Sequence, residues 1–453
     1  MSSRPNLSKR PSSNDRGVSP PPTKKKQQCT TTNKVVSNFF TPTSKKEPEK
    51  MVWRIVRDSL LVGRYSVADL KKSGLGNRRI AAFDFDSTLI STISGKHFAR
   101  DAADWKWWHS SVPEALRKLN EDGYTIIIIS NQGGLKLPSP NGPASKTIKS
   151  DTKRLTDWKQ KVSAVLTSLD LPISVYAATT RDVYRKPRTG MWTEMLEDFD
   201  LEGDEAVDLE GSFFVGDAGG RTGKEGKDHS CCDRDLASNL SLPFHTPEEY
   251  FLKETPRPFV RDFDPVAYLA ERLTLLLDAL APMGTFTKTS PLDIILFVGS
   301  PGAGKSSFYW KTLQPLGYAR VNQDILKTRE KCLKQARALV EEGTSVVVDN
   351  TNADPETRSS WTDLAKKLNV PIRCVLFTAS AKLCEHNDAV RALNLGPESN
   401  PENRTMLPKM AFTGFASRYR EPKLKEGFAD IVKVDFEFKG SEQHKQQWSR
   451  FWV

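Results

Sequence analysis

An unbroken apolar run, Ile294-Ile295-Leu296-Phe297-Val298, leads directly into Gly299-Ser300-Pro301-Gly302-Ala303-Gly304-Lys305-Ser306. This pattern, G-x-x-x-x-G-K-[ST], needs a strand before it and a helix after it. Only in that setting do its glycines turn backbone amides inward around phosphate oxygens at a helix N-terminus. Gly299, Gly302 and Gly304 supply the turn, and Lys305 can reach the outer phosphates of a bound nucleotide. Ser306 can hold Mg²⁺, and Ser307 follows on the same helical turn. Around this loop the pattern alternates. Strands are predicted over Asp293 to Val298, Ser345 to Asp349 and Ile372 to Phe377, with helices from Lys305, over Leu326 to Glu342 and over Thr357 to Leu368. Short buried strands separated by helices imply a parallel sheet covered on both faces.

The loop alone does not separate a hydrolase from a kinase, but further residues bear on the choice. Val321-Asn322-Gln323-Asp324 places a carboxylate just past a short strand, where a base is needed to take the proton of an attacking hydroxyl. Asp324 is therefore a candidate base, with capping of the helix that begins near Ile325 as the alternative. Val346-Val347-Val348 ends in Asp349, as expected of an acid that supports Mg²⁺ or the active-site loop. Arg391 can bring a cation over the transferring phosphoryl group or be an ordinary helix charge.

The earlier part of the chain shows the same alternation. Arg79 to Asp86 reads as a strand ending in acids, Val112 to Glu121 as a helix, and Tyr124 to Ser130 as an apolar strand. Asp151 to Leu169 follows as a helix, Ser174 to Ala178 as a strand, Met191 to Phe199 as a helix and Ser212 to Val215 as a strand. Asp84-Phe85-Asp86-Ser87-Thr88 is D-x-D-x-T at a strand end, the signature of haloacid-dehalogenase-type phosphatases. Two acids one residue apart in the loop beyond a strand can both face a crevice. Asp84 can then attack phosphorus, while Asp86 protonates the departing oxygen and later activates water. Supporting residues follow in order: Ser130 to hydrogen-bond the phosphoryl group, Lys186 to neutralise it, and Asp217. Asp217 can complete a Mg²⁺ site of oxygen ligands with Asp84 and the backbone carbonyl of Asp86. Asp228 and Asp233 are candidates to support that site from behind its ligands, with solvated loop acids as the alternative that sequence does not exclude. At least two of Trp105, Trp107 and Trp108 read as packed in a cap or loop next to the first strand, with base stacking as the alternative.

Charge and cysteine use narrow the class further. Residues 1–50 hold 11 Lys+Arg against 3 Asp+Glu, so the remaining 403 residues carry 56 basic and 53 acidic side chains, a net of only +3. The basic excess is a Ser-, Pro- and Lys-rich tail of disordered composition rather than a property of the folded part. Pro20 to Lys26 reads as a nuclear-import signal, and hence a nuclear location. Asn33, Val36, Phe39 and Phe40 have the spacing of peptides that dock on DNA sliding clamps, the alternative being that the two Phe pack on the protein's own first domain. The six cysteines show no C-x₂-C spacing, so neither structural zinc nor a disulfide framework is indicated. Apolar runs are too short to cross a membrane. The Pro-containing stretch Glu254 to Pro265 breaks the periodicity and marks a boundary, giving a tail over 1–50, a first domain over 51–264 and a second over 265–453.

Beyond the motifs, several strings have no general chemical meaning. They are Lys227-Asp228-His229-Ser230-Cys231-Cys232-Asp233-Arg234, Leu242 to Phe251, Asp349-Asn350-Thr351-Asn352 and Phe412-Thr413-Gly414-Phe415. With these the chain resembles the bifunctional polynucleotide kinase 3′-phosphatases of DNA end repair, in their eukaryotic order. The resemblance spans about residues 51–453 and lacks the forkhead-associated domain of animal members. It implies a haloacid-dehalogenase-like phosphatase followed by a P-loop kinase, both α/β with parallel sheets. It also implies Mg²⁺ as cofactor, ATP as donor, and DNA strand-break ends with 3′-phosphate or 5′-hydroxyl as substrates for a monomer. The family roles fall on Asp84, Asp86, Ser130, Lys186 and Asp217, then on Lys305, Ser306, Asp324 and Arg391. Lys327 stands where a viral member has an arginine on the acceptor phosphate, and a lysine lacks the bidentate fork. Arg181, Arg185, Arg188, Arg221, Lys224 and Lys227 are expected to line the phosphatase mouth. A fused kinase and phosphatase of small metabolites carries the same generic motifs, and neither motif set reads a 2′-hydroxyl, so RNA ends stay open.

Overall fold

A computed structural model describes residues 50–66, 78–138, 148–201, 203, 206–223, 226–278, 286–393, 400 and 402–453. The tail, its import signal, the clamp-type residues Asn33, Val36, Phe39 and Phe40, and Lys224 lie outside these residues. The first sheet is built from β1 (Met51–Val56), β2 (Leu60–Tyr65), β3 (Ile80–Phe83), β6 (Thr125–Asn131), β7 (Ile173–Ala178), β8 (Phe213–Val215) and β9 (Phe244–His245). A separate two-stranded ribbon pairs β4 (Ile90–Ser91) with β5 (Lys106–Trp107). The strand order is β1-β2-β7-β6-β3-β8-β9. Pairings from β7 to β9 are parallel, as the uninterrupted apolar runs predict.

The hairpin β1–β2 was not anticipated, and it joins β7 antiparallel. Its turn carries Arg57 and Asp58 at φ +47° and +56°, and Ser59 N–H donates to the Val56 carbonyl at 3.1 Å. Two consecutive left-handed residues twist a turn in the sense of the flanking strands, so the chain doubles back without splaying them.

The second sheet comprises β10 (Ile294–Val298), β11 (Ala319–Val321), β12 (Val346–Val348), β13 (Ile372–Phe377) and β14 (Ile431–Val434). Its order is β11-β12-β10-β13-β14, and it is parallel throughout. Alternate residues of each central strand feed opposite faces. Ile294, Leu296 and Val298 join one core, while Ile295 and Phe297 join the other. Ala81 and Phe83 are separated from Ile80 and Ala82 in the same way. Each large apolar side chain so enclosed contributes roughly 1.5–3 kcal/mol, which is why these strands tolerate no polar face.

Helix boundaries agree with the spacing at Val112–Glu121 and within a few residues at Ile148–Leu169, Gly190–Asp198 and Pro355–Leu368. The single helix expected over 326–342 is instead two. Gln323–Leu326 ends at Lys327, whose φ is +74°, and Arg329–Glu341 starts afresh with Thr328 accepting from the Lys331 amide. An L-residue in the left-handed region cannot continue a right-handed helix. The three tryptophans pack as the sequence suggested: all three are partly buried against the first core, and Trp105 meets Trp107 edge-on at 5.5 Å.

In both sheets the strand carrying the leading motif is central and its neighbours diverge in sequence order. β3 lies between β6 and β8, and β10 between β12 and β13. The carboxyl end of such a strand opens into a crevice where ligands bind. The order of strands therefore brings together acids that are more than a hundred residues apart in sequence.

Candidate active sites

At the end of β3 the Asp84 amide donates to the Val215 carbonyl at 2.8 Å, which draws this loop toward the end of β8. Asp84 is buried, and its Oδ1 accepts from Lys186 Nζ at 2.6 Å. The same ammonium lies 2.7 Å from Asp233 Oδ1 and donates to the Ile129 carbonyl at 2.8 Å, so its three protons have three acceptors. Asp84, Asp217 and Asp233 each offer a carboxylate oxygen, and these oxygens lie within 4.8 Å of one another.

The electrostatics follow from crowding. Burial pushes the Asp84 carboxyl up to about 6, with Lys186 pulling against it and Asp233 adding to the rise. Burial, then the charges of Asp84 and Asp233, push Asp217 up to about 8. Burial would lower Lys186, but Asp233 and Asp84 outweigh it and hold its pKa above the ordinary lysine range. Three carboxylates against one ammonium leave excess negative charge in an enclosed place, and the oxygen donor set suits a hard divalent cation.

Asp86 stands apart from that cluster. Gln132 Nε2 donates to its Oδ2 at 2.7 Å and Lys161 Nζ lies 3.2 Å from its Oδ1, while the Asp86 side chain remains 48% exposed. Its side chain is therefore held by Gln132 and Lys161 outside the Asp84–Asp217–Asp233 group. Ser130, buried at the end of β6, is linked to the same Gln132 at 3.1 Å.

Two expectations change here. Asp233 is 1% exposed and belongs to the acid cluster, whereas Asp228 is bound to Arg221 at 2.9 Å. Gly216 makes this possible, since a Cβ there would lie 2.3 Å from the Asp233 carboxylate. Arg188 and Arg221, expected at the mouth, are buried struts. Arg221 joins Asp228, Glu248 and the Asp217 carbonyl, and Arg188 donates to the carbonyls of Asp182 and Trp452. Arg181 is exposed, Arg185 is partly buried beside Gly133, and Lys227 lies on the surface 3.9 Å from Asp262.

In the second centre the loop follows β10. Gly302 and Gly304 have φ +78° and +92°, and a Cβ on Gly302 would fall 2.2 Å from the Cys384 carbonyl oxygen. Gly299 N–H donates to the Thr351 carbonyl at 3.1 Å. Lys305 folds back to donate to the carbonyls of Gly299 and Ser300 at 3.0 and 2.6 Å, and burial lowers its pKa to about 8. Ser306 Oγ donates to Asp349 Oδ2 at 2.9 Å, while Ser307 points to solvent. Asp349, 3% exposed, also lies 2.6 Å from Arg320. A hydroxyl and a carboxylate in contact beside a phosphate loop fit the pair that holds a divalent metal in such sites.

The capping alternative for Asp324 is answered by Asn322, whose side chain accepts from the Asp324 amide at 2.8 Å and donates to the Asp349 carbonyl at 2.6 Å. Asn322 is the cap, and the Asp324 side chain is left 74% exposed, 3.5 Å from Arg404. Lys327 turns back to the Asp324 carbonyl at 2.7 Å. Arg391 is paired with Asp388 and largely enclosed, so it is not an ordinary exposed helix charge.

Sequence reading left Asp233 unranked against Asp228 and missed Gln132 and Lys161 in the first centre, and Arg320, Glu402 and Arg404 in the second. Glu402 lies 2.5 Å from both Arg320 and Arg404. Asp233 lies in the distinctive string Lys227 to Arg234, but nothing in the spacing of Lys161 or Arg320 signals a role.

Residues 79–251 match the family described as polynucleotide kinase 3 phosphatase, and residues 294–422 match the family described as AAA domain. A bifunctional polynucleotide phosphatase/kinase of Schizosaccharomyces pombe is 36% identical over 411 residues, covering 90% of each chain. A polynucleotide 3′-phosphatase of Arabidopsis thaliana is 34% identical over 192 residues, covering 40% of this chain and 25% of its own.

Proposed function

The chain belongs to the bifunctional polynucleotide phosphatase/kinase family, and from that premise we propose how its two centres treat the ends of a strand. It is an enzyme with two activities, a 3′-phosphatase and a kinase of polynucleotide 5′-hydroxyls. What carries our assignment of residues is the convergence of Asp84, Asp217 and Asp233 on one lysine in a chain that also has a phosphate loop beside Asp349.

In the phosphatase, a carboxylate oxygen of Asp84 attacks the phosphorus of a terminal 3′-phosphate. A P–O bond forms to Asp84 as the bond to the 3′-oxygen breaks, and Asp86 gives that oxygen its proton. Asp86 then takes a proton from water, which hydrolyses the acyl phosphate and releases inorganic phosphate. Lys186 holds Asp84 ionised and in line, Ser130 hydrogen-bonds the phosphoryl oxygens, and Gln132 and Lys161 hold the Asp86 side chain. Asp84, Asp217 and Asp233, with the Asp86 carbonyl, would hold Mg²⁺, which would supply positive charge for the phosphoryl group.

In the kinase, Gly299, Gly302, Gly304 and Lys305 cradle the phosphates of ATP, with Ser306 and Asp349 placed for its Mg²⁺. Asp324 takes the proton of the 5′-hydroxyl as that oxygen attacks the γ-phosphorus and ADP leaves. Arg391 and Arg404 supply charge over the transferring group, and Lys327 faces the acceptor side. We assign residues 51–264 to the phosphatase and 265–453 to the kinase. The setting is repair of DNA breaks in the nucleus by a monomer, with Asn33, Val36, Phe39 and Phe40 of the 1–50 tail docking on a sliding clamp.

One oligonucleotide bearing a 5′-hydroxyl and a 3′-phosphate tests the assignment. With Mg²⁺ and ATP, Asp84→Ala stops loss of the 3′-phosphate and leaves 5′ labelling, while Lys305→Ala does the reverse. Retention of phosphatase turnover in a folded Asp84→Ala enzyme overturns the nucleophile assignment.

A further inference from the structure

The segment after the helix Glu442–Trp448 is bound at both ends to groups next to the two reaction centres. On the kinase side Trp448 Nε1 donates to Asn387 Oδ1 at 2.8 Å, and Asn387 Nδ2 donates to the carbonyl of Gly302 in the phosphate loop at 3.0 Å. His386 Nε2 donates to the Trp448 carbonyl at 2.8 Å. Three residues on, the chain meets Asn239 of the phosphatase half. Asn239 Nδ2 donates to the Phe451 carbonyl at 2.8 Å, and the Phe451 amide donates to Asn239 Oδ1 at 2.9 Å.

The second bond made by the Asn239 amide nitrogen gives this pairing a catalytic bearing. It runs at 2.9 Å to the carbonyl of Pro187, the residue directly after Lys186. The next residue, Arg188, donates to the Trp452 carbonyl at 3.0 Å. The backbone that presents Lys186 to Asp84 is therefore held from behind by Asn239 and Arg188, and both are engaged by the Phe451-Trp452 peptide. Asn239 uses both amide hydrogens and its carbonyl oxygen in this arrangement, so no shorter or apolar side chain reproduces it.

We propose that Asn239 is a positioning residue of the phosphatase, and that the Phe451-Trp452 segment of the kinase half fixes it, so that the 3′-phosphatase centre is completed by the other half of the chain. This rests on the reading of Lys186 as the lysine of the phosphatase reaction. Groups that orient catalytic side chains from behind typically cost about 10–100-fold when removed, because the reacting groups lose their alignment rather than their identity.

The test uses the full chain with a 3′-phosphate oligonucleotide and Mg²⁺, measuring kcat and KM separately, with 5′ labelling as a check that the kinase half is folded. Asn239→Ala lowers phosphatase kcat about tenfold with KM within about twofold. A chain stopped after Ser449, which lacks the Phe451-Trp452 peptide, shows a loss of similar size. The two changes combined cost less than the product of the two losses, because both remove the Asn239–Phe451 pairing. Asn239→Asp, which keeps the acceptor but loses both donors, does not restore kcat. Phosphatase kcat within about twofold of the parent in both single variants overturns the proposal, as does full multiplication of the two losses in the combined variant. A Lys186→Ala enzyme that retains its phosphatase kcat would instead refute the underlying reading of the site.

Discussion

Replacing Gly302 by alanine places one methyl group where the fold has no room. A Cβ at this position would lie 2.2 Å from the Cys384 carbonyl oxygen and 3.0 Å from its carbon, both backbone atoms that cannot swing aside as a side chain can. The φ of +78° adds strain of roughly 1–2 kcal/mol for an L-residue. An ordinary carbon–oxygen contact lies at about 3.3 Å, so relief requires a shift of about 1 Å in the loop. That loop holds the amides meant for the nucleotide phosphates, and a displacement of about 1 Å costs on the order of 10²-fold in rate, equivalent to about 2.7 kcal/mol. The assay is initial-rate 5′ phosphorylation of an oligonucleotide over a range of ATP concentrations, beside removal of a 3′-phosphate by the same preparation. Gly302→Ala is expected to lose about 10²-fold in kinase kcat/KM while the phosphatase stays within about twofold. Kinase kcat/KM within about threefold of the parent would show that the loop can relax around the methyl and would refute the steric argument.

Three other outcomes follow from the geometry. Asp233→Asn removes one anion from the acid cluster and a partner of Lys186, so half-maximal phosphatase activity needs about tenfold more Mg²⁺, read by metal titration; an unchanged requirement removes Asp233 from the cation site. Lys161→Met leaves Asp86 held by Gln132, and phosphatase kcat falls about three- to tenfold with kinase rates unchanged, measured on the oligonucleotide bearing a 5′-hydroxyl and a 3′-phosphate. Burial lowers His386 to about 4 against the backbone bond to Trp448, and its Nδ1 has no acceptor for a second proton. Because the folded pKa is depressed, the neutral ring's contribution is present above the ordinary histidine value of about 6.5. It is lost as pH falls toward about 4, an effect of about 3 kcal/mol. Urea unfolding across that range checks this, and His386→Gln should flatten the slope.

Much of both centres was legible because strand-end motifs report local geometry. Asp84, Asp86, Lys305 and Ser306 sit within short segments whose apolar strand and following turn dictate where their side chains start. Ser130, Lys186 and Asp217 could be placed in order along the chain by the chemistry they complete. Lys161 could not, because it lies inside the helix Ile148–Leu169 and reaches Asp86 only once that helix packs on the sheet. Arg320 likewise occupies an ordinary strand position, and its role comes from the carboxylates of Asp349 and Glu402, one just past the end of the neighbouring strand and the other 82 residues away. The interruption at Lys327 was missed because a lysine carries no backbone signal for positive φ.

The amino-acid sequence alone determined the two α/β halves, their order, and the residues that carry chemistry on each leading strand, since those depend on periodicity and turn composition within a few residues. Tertiary structure alone decided which distant groups set the charge of each centre. Asp233 became a buried partner of Lys186 while Asp228, five residues earlier, went to Arg221. The physical reason is that a carboxylate's environment depends on contacts across the sheet crest, and sequence spacing contains no measure of those distances.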